Sequence, residues 1–440
     1  MSDEGEIPRG KMRRLGRMLT LPGRAGTQLV SAGLQKVLGK AVDPGRAAAS
    51  RVMEVLGEMK GIPVKAGQLM TLFGDNLPEE ARKTLGQLFA KTPTLPFPQV
   101  RHALETELGK SLSEVFESFE ETPCAGASLG QVHRARLHSG EKVAVKVQYP
   151  GIAGAMQEDL ELIRPIVKTL GMAGSLLDTK EYYEEMKRDL ADELNYKQEL
   201  ASLEQFRTYL SHWPELVVPR SFPEFSTSRV LVLEWLEGPT LHSWLESPHP
   251  ESERLALAEK LVRAVYGPFL LHRVVHGDTH PGNFLVLEGG KLGVLDFGAI
   301  KPLSEPFWHA VVSVMQGMLE NRKVDIVPLV RQAGFRLDMP EERARTLVER
   351  IHELISSPFK GPYDFGSDQL IAGFTELKKK YPLDLLRVRP PAEGLLFYRA
   401  IGGLSQNLRR LQIKGDFRPF FREALAAPHH VELARARRLG

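Results

Sequence analysis

The sequence predicts an α+β fold, because two strand hairpins occupy its middle and helical segments fill its last third. Residues 131–149 and 284–295 read as strand pairs, each joined by a short turn that contains glycine. From residue 305 onward, apolar residues recur at helical spacing, as in FWHAVVSVMQGML and EGLLFYRAIGGLSQNLRRL. At 440 residues the chain is long enough for two or three domains.

The composition is that of a folded protein. The chain is 42% hydrophobic and 26% charged, which argues against disorder. Its single cysteine, Cys124, excludes an intrachain disulfide and a cysteine-based zinc site, and fits a reducing cytoplasm. The apolar runs stop well short of the roughly 18 residues that a membrane span needs. We therefore expect a soluble or peripheral protein.

The first 40 residues are basic, although the net charge of the whole chain is only +3. They hold eight Lys or Arg against three acidic residues, a local charge of +5. Met12, Leu15, Met18 and Leu19 recur among them at helical spacing, which suits an interfacial helix on anionic lipid. A basic helix packed on its own protein, or a frayed tail, is the alternative reading.

The stretch VVHGDTHPGNFLVLEGGKLGVLDFG, residues 274–298, carries the clearest chemical pattern. FLVLE and KLGVL predict a hairpin joined by a two-residue Gly289-Gly290 loop. With Glu288 opposite Lys291, this register places Asn283 directly opposite Asp296, with both side chains on one face. The apolar residues between them predict a buried hairpin whose open end is rigid.

Asp278 lies five residues before Asn283, the spacing of the Asp and Asn in the catalytic loop of protein kinases. Transfer of a γ-phosphoryl group needs Mg²⁺ held by oxygen ligands and a carboxylate that orients the nucleophile. We therefore predict Asp278 as the catalytic carboxylate, and Asn283 and Asp296 as the metal ligands. His276 and His280 could suggest a metal pair, but a structural role for His276 is preferred.

A strand lysine completes the predicted site. KVAVKVQY, residues 142–149, places Lys146 in a VAVK run, and QVHRARL precedes it across a turn at residues 138–140. Upstream, AGASLGQVHRA stands where kinases carry a glycine-rich loop, but alanine is less able than glycine to close around phosphates. The predicted nucleotide contacts are Ala125, Gly126, Ala127, Ser128, Gln131 and Lys146.

Five separated motifs, KAGQ, AGASLGQVH, VAVKVQYPG, HGDTHPGN and LDFG, resemble the UbiB/AarF/ADCK family of atypical protein-kinase-like proteins. PYDFGSD and the basic start LGRMLTLPG are similar to its coenzyme Q-associated subgroup. The resemblance spans about residues 10 to 430. It implies a bilobal protein-kinase-like fold with a helical N-terminal extension, ATP and Mg²⁺ as cofactors, little protein-kinase activity, and a link to isoprenoid quinone lipids at a membrane.

The resemblance also implies roles that the residues alone do not show. Lys65 and Gln68 of KAGQ would cross the active site, and Glu193 would face them. By analogy, Glu199 is the partner of Lys146. Asn195 stands where the family has Asp, and Gly126 where its loops usually have Ala.

RVLVLEWLEGPTL, residues 229–241, predicts a strand that leaves into a hinge, with backbone from Glu234 to Leu236 facing adenine. The predicted organisation is a basic segment (1–44), a helical extension (45–115), an N-lobe (116–237) and a helical C-lobe (238–440).

The function that follows is an atypical kinase or ATPase that binds Mg-ATP and supports ubiquinone-type lipid metabolism at a membrane surface. Its expected location is the cytoplasm, peripheral on the inner face of the cytoplasmic membrane. Expected partners are that membrane and an isoprenoid or quinone-type lipid, with no nucleic acid and homodimer formation left open. Two alternatives remain: a small-molecule phosphotransferase of the aminoglycoside or choline kinase type, and a nucleotide-gated lipid-binding scaffold.

Overall fold

The computed structural model describes residues 95–127, 129–157, 184, 187–188, 191–385 and 387–426. The described chain forms two compact units. The first contains the described residues up to Gln198 together with Ser221–Trp235, and the second contains Glu199–Arg220 and the described residues from Leu236 onward. The basic segment, Lys65, Gln68 and Ser128 lie outside the described residues, so the roles assigned to them stay predictions.

The first unit is built on an antiparallel sheet. Its strands run β1-β3-β4-β6, with β2 also paired to β3. One face of β4 is buried through its valines and packs with β6 and the first helix, whereas Lys146 points to the other face because strand side chains alternate. The elements are α1 (Phe97–Leu108), α2 (Leu112–Val115), β1 (Phe116–Phe119), β2 (Ala125–Ala127), β3 (Gly130–Leu137), β4 (Lys142–Gln148) and β6 (Val230–Glu234).

The predicted hairpin of residues 131–149 is confirmed. β3 and β4 pair from Gly130 opposite Gln148 to Arg136 opposite Lys142. The turn closes through the Leu137 N–H to the Glu141 carbonyl, 2.9 Å, and Gly140 adopts a φ of 97°, which glycine tolerates without strain.

Helices dominate the second unit, as the apolar spacing after residue 305 predicts. A long central helix, α5, packs against β7 and against the late helices α12 and α13. The elements are α3 (Tyr196–Leu210, which begins in the first unit), β5 (Leu216–Val217), α4 (Leu241–Trp244), α5 (Glu251–His272), β7 (Val274–His276), β8 (Phe284–Val286), β9 (Leu292–Val294), β10 (Ile300–Pro302), α6 (Glu305–Leu319), α7 (Ile326–Gln332), β11 (Arg336–Leu337), α8 (Glu341–Ile355), α9 (Ser357–Lys360), β12 (Tyr363–Asp364), α10 (Gln369–Lys380), α11 (Pro382–Leu385), β13 (Val388–Arg389), α12 (Ala392–Arg410), β14 (Lys414–Gly415) and α13 (Arg418–Leu425).

The predicted single cut after residue 237 differs from the structure in one respect. The cut lies two residues beyond Trp235, but residues 199–220 group with the second unit and not with the first. Two contacts of this stretch lie in the second unit: β5 pairs in parallel with β9, and the Phe206 ring packs against His276, and no local pattern encodes either. Among the described helices, none combines the length and apolarity that crossing a membrane requires.

The predicted register of the second hairpin is wrong by one residue. β8 and β9 pair with Phe284 opposite Val294, so Asn283 faces Leu295 and not Asp296. The connection is a three-residue 3-10 turn, Glu288–Gly290, in place of the predicted two-residue loop, and both of its glycines have φ near 70°. A longer loop shifts the pairing, and a shift of one residue exchanges the faces of a strand.

Candidate nucleotide and phosphoryl-transfer site

Lys146 lies in the middle of β4 in the first unit, opposite Val132 of β3 and Leu231 of β6. Its ammonium nitrogen is 4.9 Å from the centroid of the Tyr196 ring. Tyr196 is almost fully buried, at 1% exposure. A cation over an aromatic face is attracted by the ring quadrupole, so Tyr196 helps to hold the Lys146 ammonium in place. Sequence reasoning did not single out Tyr196.

Tyr196 is also the first residue of α3, and Asn195 caps that helix. The Asn195 side-chain oxygen accepts a hydrogen bond from the Lys197 N–H at 3.2 Å. Asn and Asp are about equally good at this position, which explains how Asn195 replaces the Asp of the resembled family without loss of the turn. The cap separates α3 from the helical piece at residues 191–193, because residues 194 and 195 are non-helical.

The break separates the two predicted glutamates. Glu193 ends the short helical piece before the cap, whereas Glu199 lies in the first turn of α3 and is only 4% exposed. In the second unit, the Glu199 carboxylate lies beside Gly298, where an added Cβ would be 4.0 Å from Glu199 Oε2. Glu199 therefore adjoins the Asp296-Phe297-Gly298 segment, and its pairing with Lys146 stays a prediction.

The segment predicted to contact the nucleotide, which begins at Ala125, starts as a β-strand. Ala125, Gly126 and Ala127 form β2 and pair with β3, with Gly126 opposite Gln131. Gly130 follows, and a Cβ there would lie 1.9 Å from the Val147 carbonyl oxygen, so only glycine allows β3 to approach β4 at this point. The requirement at Gly130 was missed from the sequence.

The predicted contact of the Gln131 side chain with a nucleotide does not agree with its environment in the structure. Its side chain is fully buried, with Oε1 accepting from the Leu95 N–H at 2.8 Å and the amide nitrogen donating to His133 Nε2 at 2.9 Å. His133 then donates from Nδ1 to the Glu120 carbonyl at 2.8 Å, and burial lowers its pKa, which favours the neutral ring. The Gln131 side chain therefore ties Leu95 to β3 and is not free to touch a nucleotide.

The predicted hinge begins where β6 ends at Glu234. The Trp235 N–H still donates to the Lys142 carbonyl at 3.0 Å, and the Arg134 guanidinium lies 4.2 Å from the Trp235 ring centroid. The first unit ends at Trp235, and Leu236 opens a stretch of the second. The roles of Glu234 and Leu236 at adenine stay predictions.

In the second unit, the loop after β7 carries Asp278. One of its carboxylate oxygens accepts from the His280 N–H at 3.2 Å, and the Asn283 amide donates to the Asp278 carbonyl at 3.3 Å. These bonds fold the loop so that Asn283 returns to Asp278. Because the amide nitrogen of Asn283 is used, its oxygen is the atom left to bind a cation.

Asp296 follows Leu295, whose N–H donates to the Asn283 carbonyl at 2.8 Å. Asp296 has a φ of 59°, a left-handed conformation that Asp and Asn adopt more readily than other non-glycine residues. Its Oδ1 accepts from the Gly298 N–H at 3.1 Å. Asp296 therefore follows the residue that pairs with Asn283, at a turn in the backbone, and the convergence of the two side chains on one metal ion stays a prediction.

Three aromatic rings lie beneath these residues. His276, Phe206 and Phe297 have centroid separations of 5.6 to 5.9 Å and are all buried. His276 Nδ1 accepts from the Asp278 N–H at 3.3 Å, and burial lowers the pKa of His276, which keeps the ring a neutral acceptor. This bond gives His276 the structural role preferred from the sequence.

Helix α12 braces the catalytic loop through side chains that the helical spacing of its apolar residues did not reveal. Arg399 Nε donates to the Gly277 carbonyl at 2.7 Å, Thr279 Oγ1 donates to the Ala400 carbonyl at 3.0 Å, and Asn407 Nδ2 donates to the Thr279 carbonyl at 2.9 Å. A Cβ at Gly403 would lie 2.2 Å from Thr279 Oγ1. The Gly-Gly pair inside an amphipathic helix was the available signal of this close approach.

The donor set around Asp296 fits Mg²⁺. Asn283 and Asp296 offer hard oxygen atoms, which Mg²⁺ prefers, and Mg²⁺ usually takes its remaining ligands from phosphates and water. Within the described ranges no cluster of three or more His, Cys, Asp or Glu forms a metal site made of protein alone. Asn283 and Asp296 therefore suit a Mg²⁺ ion whose other ligands come from a bound phosphate and water.

The two units and the loop carrying Asp278 define the class of a protein-kinase-like fold. Residues 87–329 match the family described as the ABC1 atypical kinase-like domain, and the chain belongs to that family.

Similar proteins support this assignment. AarF domain-containing protein kinase 1 of Xenopus tropicalis is 33% identical over 62% of this chain and 53% of its own length. The atypical kinase coq-8 of Caenorhabditis elegans, named as mitochondrial, is 27% identical over 81% of this chain and 48% of its own length. The chain thus spans about half the length of these curated relatives. An uncharacterized Synechocystis protein, slr0889, is 33% identical over 73% of this chain and 83% of its own.

A solved structure of Rv3197 with erythromycin, from Mycobacterium tuberculosis, superposes with a TM-score of 0.59 and 25% identity. It covers 91% of this chain and 100% of the solved chain.

Proposed function

We propose that this protein binds Mg-ATP and cleaves its γ-phosphoryl bond as an atypical kinase or ATPase, in support of isoprenoid quinone metabolism at a membrane surface. The observation that carries the proposal is the loop of the second unit on which the Asn283 amide donates to the Asp278 carbonyl and the Asn283 carbonyl accepts from the N–H of the residue before Asp296. The resemblance to the coenzyme Q-associated subgroup supplies the lipid and the peripheral, inner-face location.

Each residue has a separate task. Lys146 neutralises phosphate oxygens, and Asn283 and Asp296 hold Mg²⁺, which when bound neutralises charge on the transferring phosphoryl group. Asp278 orients the attacking oxygen and accepts its proton. Its carboxylate is positioned for this by the His280 N–H and by the brace from α12.

The test is ATP binding and turnover of the full chain, with and without Mg²⁺ and with and without anionic vesicles. We expect Mg²⁺-dependent turnover that Asp296→Asn lowers by at least about 100-fold, because one anionic ligand is lost. Mass spectrometry of the products separates hydrolysis from transfer to a lipid or small molecule. Equal Mg-ATP affinity and turnover in Asp296→Asn would refute the metal assignment.

Membrane association has its own test. Deletion of residues 1–40 should weaken sedimentation with anionic vesicles, and salt should weaken binding of the full chain, because screening reduces attraction between basic residues and lipid. Equal sedimentation of both proteins would show that residues 1–40 are not needed for membrane binding.

A further inference from the structure

A group of basic side chains lies beside Asp278 and has no part in the mechanism above. It consists of Arg410 at the end of α12, His242 on α4 and His280 on the catalytic loop, and all three are exposed. Arg410 Nη2 donates to His242 Nδ1 at 3.1 Å. His280 lies on the catalytic loop itself, where its N–H donates to the Asp278 carboxylate at 3.2 Å and its carbonyl accepts from the Asn283 N–H at 2.9 Å.

The fold fixes where Arg410 lies. Asn407 is 2% exposed and binds the Thr279 carbonyl, so the last turn of α12 is anchored to the loop one residue from His280. Arg410 is one helical turn further along. On the other side, α4 packs against the 3-10 turn Pro281–Asn283 that follows His280. Two separate elements therefore bring Arg410 and His242 to the same loop.

The hydrogen bonds also set which atoms can donate. His280 Nδ1 accepts from the Gly282 N–H at 3.1 Å, so in the neutral ring the proton is on Nε2. Arg410 uses one guanidinium N–H on His242, and a guanidinium has five. His242 Nε2 lies 3.8 Å from the Glu246 carboxylate, so the donors that remain are those of Arg410 and His280 Nε2, with one permanent positive charge on Arg410.

The neighbouring Arg409 has a different kind of partner from Arg410. Arg409 forms an ion pair with Asp368, whereas no carboxylate of the described residues lies within ion-pair distance of Arg410. The neighbouring arginine is neutralised by its own chain, and Arg410 is paired only with an imidazole.

We propose that Arg410 and His280, with His242 holding the Arg410 guanidinium, form an anion subsite that binds a phosphate group on the phosphoryl acceptor. The proposal rests on the proposed function, because it takes Asp278 as the residue that orients the acceptor. A carboxylate repels an anionic acceptor, and a guanidinium held near the same loop offsets that repulsion and can bind two phosphate oxygens at once. The phosphate can belong to a lipid headgroup or to a soluble phosphate ester.

The test compares Arg410→Ala with Arg409→Ala, which remove equal charge from adjacent positions. Binding of phenyl phosphate to the full chain is measured by calorimetry with nucleotide absent, and again with a non-hydrolysable ATP analogue and Mg²⁺ in excess. A second arm uses vesicles of phosphatidylcholine with and without phosphatidic acid. ATP turnover is measured in the presence of each probe.

We expect Arg410→Ala to weaken phenyl phosphate or phosphatidic acid binding by about tenfold, while Arg409→Ala stays within twofold of the wild type. An effect on phenyl phosphate binding identifies a soluble phosphate ester as the ligand, and an effect on phosphatidic acid vesicles identifies a lipid headgroup. Arg410→Gln, which retains a side chain of similar length, should reproduce the loss if Arg410→Ala is unstable. Equal weakening by both alanine variants, or no binding of either probe to the wild type, overturns the proposal.

The two proposals fail in different ways. Phosphate binding that depends on Arg410, without ATP turnover, keeps the subsite and refutes the proposed catalysis. ATP turnover together with phosphate binding that Arg410→Ala leaves unchanged keeps the proposed catalysis and refutes the subsite.

Discussion

The two units hold their candidate site residues in different ways. In the first unit, Lys146 is fixed by the alternation of β4 and by neighbouring strands, and its ammonium lies over the Tyr196 ring. In the second unit, Asp278 is on a loop, and the residues that brace this loop are 121 to 128 positions away in the chain. A strand encodes the direction of its side chains locally, whereas a catalytic loop depends on a distant helix.

The largest expected effect concerns the loop residue itself. Asp278→Asn should reduce ATP turnover by about 100-fold or more, because the side chain keeps its shape but no longer accepts a proton. Nucleotide affinity should stay within about threefold of the wild type, since Asp278 is not a predicted metal ligand. Both quantities follow from steady-state kinetics together with a direct nucleotide-binding titration. Loss of affinity with intact turnover of the bound nucleotide would exchange the roles of Asp278 and Asp296.

The distant brace can be tested with two adjacent glycines of α12. Gly403→Ala should lower turnover by about tenfold and stability by about 1 to 3 kcal/mol, because its Cβ would overlap Thr279 Oγ1 and push the loop away. Gly402→Ala is the matched control, since a Cβ there meets nothing within 4 Å and alanine favours a helix by up to about 1 kcal/mol. Equal kinetics for the two variants would show that the loop keeps its shape without α12.

In the first unit, Tyr196 provides the corresponding test. Tyr196→Leu should raise the KM for ATP by about threefold to tenfold, because the aromatic face beneath the Lys146 ammonium is lost. Tyr196→Phe keeps that face and should stay within about twofold of the wild type. Thermal unfolding of each variant corrects for lost packing at this buried position. If Leu and Phe have the same KM, the ring only fills space.

The smallest effect is expected at the start of α3. Asn195→Ala removes the side-chain cap on the Lys197 N–H and should cost about 1 kcal/mol of stability, whereas Asn195→Asp should cost little because Asp caps equally well. Chemical denaturation of the three proteins measures the difference. A catalytic defect in Asn195→Asp would mean that the amide, and not the cap, is what this position needs.

The register error shows why a local pattern can identify residues and still misplace them. The Gly289-Gly290 pair correctly indicated a tight connection between two apolar strands. Whether two or three residues form that loop depends on the backbone angles of Glu288 and both glycines, and this changes the partner of Asn283. Asp296 follows Leu295, the residue that pairs with Asn283, and its left-handed backbone turns the chain at that point.

The sequence by itself determined the elements whose information is local. The strand character around Lys146, the β3–β4 hairpin, the spacing of Asp278 and Asn283, and the helical carboxy-terminal half all follow from side-chain periodicity and turn chemistry within a few residues.

Tertiary structure decided everything that depends on residues far apart in the chain. It joined residues 199–220 to the second unit through β5, buried Gln131 against Leu95, and placed Arg399 and Asn407 on the catalytic loop. These contacts depend on how helices and strands pack, because packing brings a polar side chain to a distant backbone group, and a group that packing buries needs such a partner.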